Sequence, residues 1–142
     1  MEGLILVGRI LFASFFLYSG LMHVVKRQQM AGYLQASGGL PLLLKSNAQV
    51  AVIGTGLMLM AGAAMVAFGI YGDLGALVLA VFLVPTSILM HPFWKDTDPA
   101  QRQQNQMAFL RNVAYLGTAL FLFGVFATYG TQLGLTVTGP VW

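Results

Sequence analysis

The chain contains no cysteine among its 142 residues, and only 8% of them are charged. The first absence excludes disulfides, cysteine-ligated iron–sulfur clusters and thiol chemistry within this chain. It leaves the redox compartment open. The second absence bears on the solvent. A soluble domain carries roughly 25% charged residues, so the surface of this one cannot be matched to water throughout. Lipid must be the solvent for much of it, and the mean hydropathy of +0.79 agrees. The four carboxylates, Glu2, Asp73, Asp96 and Asp98, all fall outside the apolar stretches of sequence. Paired-carboxylate catalysis and carboxylate-coupled transport are therefore disfavoured, and no catalytic triad, phosphate loop or metal-ligand cluster is present. With seven Lys and Arg and no basic stripe interleaved with aromatics, nucleic acid is excluded as a partner.

What the chain does have is apolar length. Four stretches, about 3–25, 48–71, 74–90 and 108–129, are separated by charges and polar clusters. A bilayer-spanning helix needs about 20 mostly apolar residues, with a range of about 17–25. The reading is an all-α membrane protein, one domain over 1–142, built as a four-transmembrane-helix bundle. The third span carries Pro85 and is the one expected to kink. The N-terminal run lacks a basic region ahead of it and a small-residue cleavage site after it, so it is read as a retained helix.

The connections have their own patterns. In the first, Met30, Tyr33 and Leu34 share one helical face, opposed by Gln28, Gln29 and Gln35. This predicts a short amphipathic helix at the membrane interface, broken by Gly38-Gly39-Leu40-Pro41. The second is read as a tight Gly72-Asp73 turn. In the third, Asp98-Pro99-Ala100 has the N-cap and N1 residues of a helix start. Trp142 is expected in an interfacial aromatic belt. Lys26, Arg27, Lys45, Lys95 and Arg102 all fall in the first and third connections, and the opposite side holds none. By the positive-inside rule, those loops are cytoplasmic and both termini outside, in a bacterial inner membrane. Glycines at 8, 20, 54, 56, 62, 69, 117 and 124, with Ser14, mark expected helix–helix contact lines.

Few residues are candidates for chemistry. Arg9 is the one full charge well inside a span, since Arg111, near the start of the fourth, reads as a cytoplasmic-end anchor. Arg9 either snorkels to the headgroups and meets Glu2, or contacts a ligand. His23 and His91, the only histidines, each end a span on the same side and are expected at matched depth. They are candidates for contacts to a quinone head group or, as the lesser alternative, for axial ligands of a haem b. Trp94 follows His91 as an interfacial or stacking aromatic. Tyr18 and Asn112 are polar groups at membrane depth with structural roles. No residue is assigned as catalytic or metal-binding.

Taken together, Gly8-Arg9-Ile10-Leu11, Phe16-Leu17-Tyr18-Ser19-Gly20-Leu21-Met22-His23, Tyr33, Gly39-Leu40-Pro41, Gly56-Leu57-Met58-Leu59-Met60-Ala61-Gly62, His91-Pro92-Phe93-Trp94, and Asn105, Phe109, Asn112 and Gly117 resemble the DoxX family of small membrane proteins. Two departures stand out: that family usually has lysine at the position of His23, and many members carry a glutamate early in the second helix, where this chain reads Gln49-Val50-Ala51-Val52-Ile53. If that glutamate pairs with the first-helix arginine, Arg9 needs another partner here. The resemblance implies a four-helix bundle associated with redox work, as a subunit of thiosulfate:quinone oxidoreductase or of complexes with soluble oxidative-stress enzymes.

Three functions follow as expectations. The first is an accessory or anchor subunit of a membrane-bound redox or respiratory assembly, non-catalytic by itself, with other membrane or peripheral redox subunits as partners. The second is a quinone-reactive oxidoreductase subunit with a site built from His23, His91, Trp94 and Arg9. The third is a small-molecule carrier.

Overall fold

A computed structural model describes residues 1–36 and 45–141. The Gly38–Pro41 break and Trp142 lie outside the described residues. Four long helices carry the chain back and forth. They are α1 (Glu2–Val25), α3 (Ala48–Phe68), α4 (Gly72–Met90) and α5 (Pro99–Tyr129). A short α2 (Arg27–Ala36) follows α1, and 3-10 turns at Phe93–Lys95 and Gly130–Leu133 flank α5. All four long helices are long and apolar enough to cross a membrane. The expected spans thus exist, with two boundary corrections. The Asp98 carboxylate caps α5 by accepting from the Gln101 amide at 2.8 Å, and Pro99 stands at N1. From there α5 runs unbroken for 31 residues, about 46 Å at 1.5 Å per residue. It is one helix, longer than the 108–129 span, and its polar first third overshoots a hydrocarbon core of about 30 Å.

The second correction concerns the α3–α4 turn. The reversal is made at Gly69–Tyr71, not at Gly72-Asp73. Gly69 has φ +65° and its amide bonds to the Met65 carbonyl, a left-handed helix C-cap. Gly72 and Asp73 are already the first turn of α4, and Asp73 is fully buried. A carboxylate there faces the positive end of the helix dipole, and its Oδ2 accepts the Val141 amide at 2.7 Å, while Oδ1 is buried without a partner among the described residues.

The helices pack in the order α1 on α3, α3 on α4, α4 on α5. Backbone proximity makes the first two contacts. A Cβ built on Gly20 would lie 2.6 Å from the Gly56 carbonyl oxygen, and one on Gly62 would lie 3.2 Å from that of Gly75. In lipid such close approach, and not hydrophobic burial, drives association. Gly8, Gly54, Gly117 and Gly124 do not belong to these contact lines: a Cβ on any of them would meet open space. The spacing of Gly117 and Gly124 is compatible with a packing face, but α5 turns that face outward. An aromatic layer of Phe12, Phe15 and Phe16 around Tyr115 joins α1 to α5, with ring centroids 4.5–6.5 Å apart. The α2 helix forms as its pattern predicts and lays Met30, Ala31 and Leu34 against Ala48 and Val52 of α3.

Beyond α5, residues 134–141 fold back across the end of the bundle that holds the α3–α4 turn. The Gly69 carbonyl accepts from the Val137 and Thr138 amides, and the Thr138 hydroxyl accepts from the Tyr71 amide. The Glu2 side chain lies against Gly134. Both termini and the α3–α4 turn therefore share one end of the bundle, and the other connections share the opposite end, called the loop side below.

Candidate functional site

Arg9 is 1% exposed, so it does not snorkel. Its Nε donates to the Val66 carbonyl at 3.0 Å and Nη2 to that of Ala67 at 2.8 Å. These are carbonyls of the last turn of α3, which no helical amide can satisfy. Nη2 also reaches the Leu135 carbonyl of the terminal strap at 3.3 Å, and the guanidinium sits 5.4 Å from the Phe126 ring centroid. The partner of Arg9 is a helix C-terminus, whose partial negative charge takes the place of a carboxylate. Glu2 is engaged elsewhere, against Gly134.

At the loop side the packing of α1, α2, α3 and α4 leaves a cavity of about 960 Å³, at the upper end of the roughly 300–1,000 Å³ usual for small-molecule sites. Its walls are mostly apolar, from Met58, Val81, Phe82 and Leu89 among others, and both histidines line it. Tyr33 of α2 and Pro85 of α4 line it too. Proline has no amide to offer the carbonyl of Val81 four residues earlier, so the α4 ladder is interrupted at the cavity wall.

The two rings are held alike. His23 Nδ1 lies 2.8 Å from the Ser19 carbonyl oxygen. A carbonyl only accepts, so Nδ1 carries the proton. His91 Nδ1 lies 3.5 Å from Asn105 Oδ1, and Asn105 Nδ2 donates to Asp96 Oδ2 at 2.8 Å. Asp96 thereby fixes which end of the Asn105 amide faces His91, and that end is again an acceptor. In each neutral imidazole the lone pair is then left on Nε2. Neither Nε2 is among the buried atoms lacking a partner, and neither has a hydrogen bond within the described residues.

The two histidines are carried at different backbone levels. His23 packs at the level of Gly56 and lies 6.4 Å from the Phe82 ring. His91 follows Phe82 by nine positions in the sequence, about 13 Å of helix rise. Counting spans from their ends predicts matched depth. The close α1–α3 crossing sets His23 further inward instead.

The structure does not gather all four candidate contacts. Arg9 is at the far end of α1 from His23, fourteen residues away, about 21 Å. Trp94 sits in an aromatic cluster with Phe93 and Phe109, at centroid distances of 5.2 and 5.9 Å, which pins the 3-10 turn to α5. It lines a second cavity of about 490 Å³ with Asp96 and Asn105, next to the first and sharing Tyr33, Leu89 and Met90 with it. Tyr18 is exposed on the outer face of α1, and Asn112 is buried in the bundle. Asp96 had no sequence signal as a site residue and Asn105 only its place in the family pattern, because their link to His91 exists only once α5 packs on α4. Thr55 was missed for a similar reason. Its hydroxyl donates within α3, to the Ala51 and Val52 carbonyls at 2.9 and 3.0 Å, and it lines the larger cavity.

Comparison with known proteins bears on the same half of the molecule. A family model, DoxX, matches residues 4–92. No curated protein and no solved structure gives a significant match. The matched stretch contains both histidines and the α1–α4 walls of the larger cavity. It ends before the Trp94 cluster, α5 and the strap.

Proposed function

This chain belongs to the DoxX family, multi-pass membrane proteins associated with redox and quinone-related functions, and on that premise we propose that it is a membrane subunit of a redox assembly that holds a quinone-class head group in the α1–α4 cavity. One observation carries the reading: the only two histidines of the chain line a single large apolar cavity within the membrane-spanning bundle. Apolar walls with a few placed polar groups are what a lipophilic ring with polar oxygens needs. The charge bias of the loops supports an orientation with the loop side cytoplasmic. The donor set suits haem b less well. Two axial ligands must meet one iron atom, whereas these imidazoles are offset along the bundle. Protein purified in mild detergent from native membranes is expected to carry extractable quinone, and His91→Ala and the cavity-filling Ala51→Phe to lower its occupancy. Quinone-free protein from quinone-replete membranes would refute the reading. A Soret band lost on His23→Ala would point to haem instead.

A second reading, the anchor subunit, draws on α5. Its first turns carry exposed Gln101, Arg102, Gln103 and Gln104 on a helix longer than the bilayer is thick. That projecting end offers a polar surface for a peripheral redox partner. Stoichiometric co-purification of a partner, lost when those four side chains become alanine, is the expected outcome.

A further inference from the structure

The geometry points to a cavity that prefers the reduced, hydroxyl-bearing form of its ligand, a hydroquinone, over the oxidised quinone. This inference rests on the quinone reading above and deepens it. The two forms differ in hydrogen-bond sense at the same atoms. A quinone offers carbonyl oxygens, which only accept, whereas a hydroquinone offers O–H groups, which donate. A site that discriminates must present the complementary sense, and the three lining groups fixed by hydrogen bonds, His23, Thr55 and His91, present acceptors.

His23 gives its Nδ1 proton to the Ser19 carbonyl, and His91 directs its own toward Asn105 Oδ1. In the neutral rings, both remaining nitrogens are lone pairs. Thr55 has committed its hydroxyl proton to its own helix, so its oxygen is also left as an acceptor. Of the remaining polar lining groups, Lys26, Gln29 and Tyr33 can donate, and all three are exposed, Lys26 at the α1–α2 junction and the other two on α2. Thr86 can rotate its hydroxyl to serve either sense. The fixed acceptors also sit at different levels. His23 and Thr55 lie beside the Gly56 level of α3, and His91 at the loop-side end of α4. A hydroquinone therefore meets an acceptor at either station, while a quinone carbonyl placed there faces a lone pair. Asn105 and Asp96 are positioning residues in this scheme. They do not line the larger cavity, and act by holding the His91 tautomer.

The test uses the full chain in lipid nanodiscs under anaerobic conditions, with a decyl-substituted 1,4-benzoquinone and its hydroquinone as probes. Ala51→Phe, which fills the cavity, measures partitioning into lipid, to be subtracted. The wild type is expected to bind the hydroquinone about tenfold more tightly, the scale of one hydrogen bond made against one refused. His91→Phe, similar in shape but without a lone pair, is expected to weaken hydroquinone binding more than quinone binding. Asn105→Ala is expected to shrink the preference while preserving binding. A merely structural role would lower both affinities together. Nitrogen-15 shifts of the labelled histidines should show protonated Nδ1 and bare Nε2 in both rings. Equal affinities, tighter quinone binding, or protonated Nε2 in both rings would overturn the preference and leave the quinone reading standing. Binding of neither probe above the Ala51→Phe background would overturn both.

Discussion

A single buried arginine decides how one end of this bundle is closed. Arg9 forks onto the Val66 and Ala67 carbonyls, and a third bond ties the Leu135 carbonyl of the strap to the same guanidinium. The geometry needs two nitrogens at a fixed angle, which lysine lacks. Arg9→Leu is expected to leave both α3 carbonyls unpaired in an apolar setting, at about 1–3 kcal/mol each. Arg9→Lys should recover only part of that loss. Reversible unfolding in mild detergent, followed by helix signal, measures both. If Arg9→Leu were as stable as the wild type, the capping role would be wrong. The same end shows why Gly69 is glycine. Its φ is +65°, and a Cβ there would lie 2.9 Å from Arg9 Nη2.

For the helices, the useful distinction lies between glycines that touch and glycines that do not. Gly20 of α1 and Gly56 of α3 meet backbone to backbone, so Gly20→Ala must push the two helices apart or bend one. Because His23 is carried on the same stretch and its Cβ abuts the Gly56 position, the substitution should also displace the inner wall of the cavity. The expected outcome is a lower unfolding midpoint together with weaker quinone retention. Gly117→Ala on α5 meets nothing within 4 Å. It should be neutral or gain up to about 1 kcal/mol from helix propensity. Measured side by side, the two variants separate packing from propensity, and equal effects would contradict the α1–α3 contact. Sequence alone could not sort these glycines. Spacing shows which share a face, but not which way the face turns. Asp73 teaches the same lesson: beside Gly72 it reads as a turn residue, yet α4 begins one residue earlier and buries it.

Across the whole molecule, the absence of cysteine makes topology directly measurable. Single cysteines at Arg27 and Arg102, both exposed, should react with a membrane-impermeant maleimide only in inside-out vesicles, if the loop side is cytoplasmic. One at Thr131, also exposed, should react only in intact spheroplasts. The reverse pattern would invert the orientation proposed from loop charge, without touching the fold. The cavity belongs to this scale as well, since its walls come from four helices and no one segment contains it.

The sequence by itself determined that the protein lives in a bilayer, how many times it crosses, where α2 and the α5 cap form, and to which family it belongs. These are properties of local stretches: partition into lipid, periodicity of a face, the chemistry of Asp98-Pro99. The tertiary structure alone decided what Arg9 binds, that Asp73 is buried, how deep His23 sits relative to His91, and which nitrogen His91 leaves open. The physical reason is the same in each case. Those outcomes depend on hydrogen bonds and close approaches between groups far apart in the chain, 57 residues for Arg9 and Val66, or on where two helices cross. No local pattern encodes such a partner until packing brings it near.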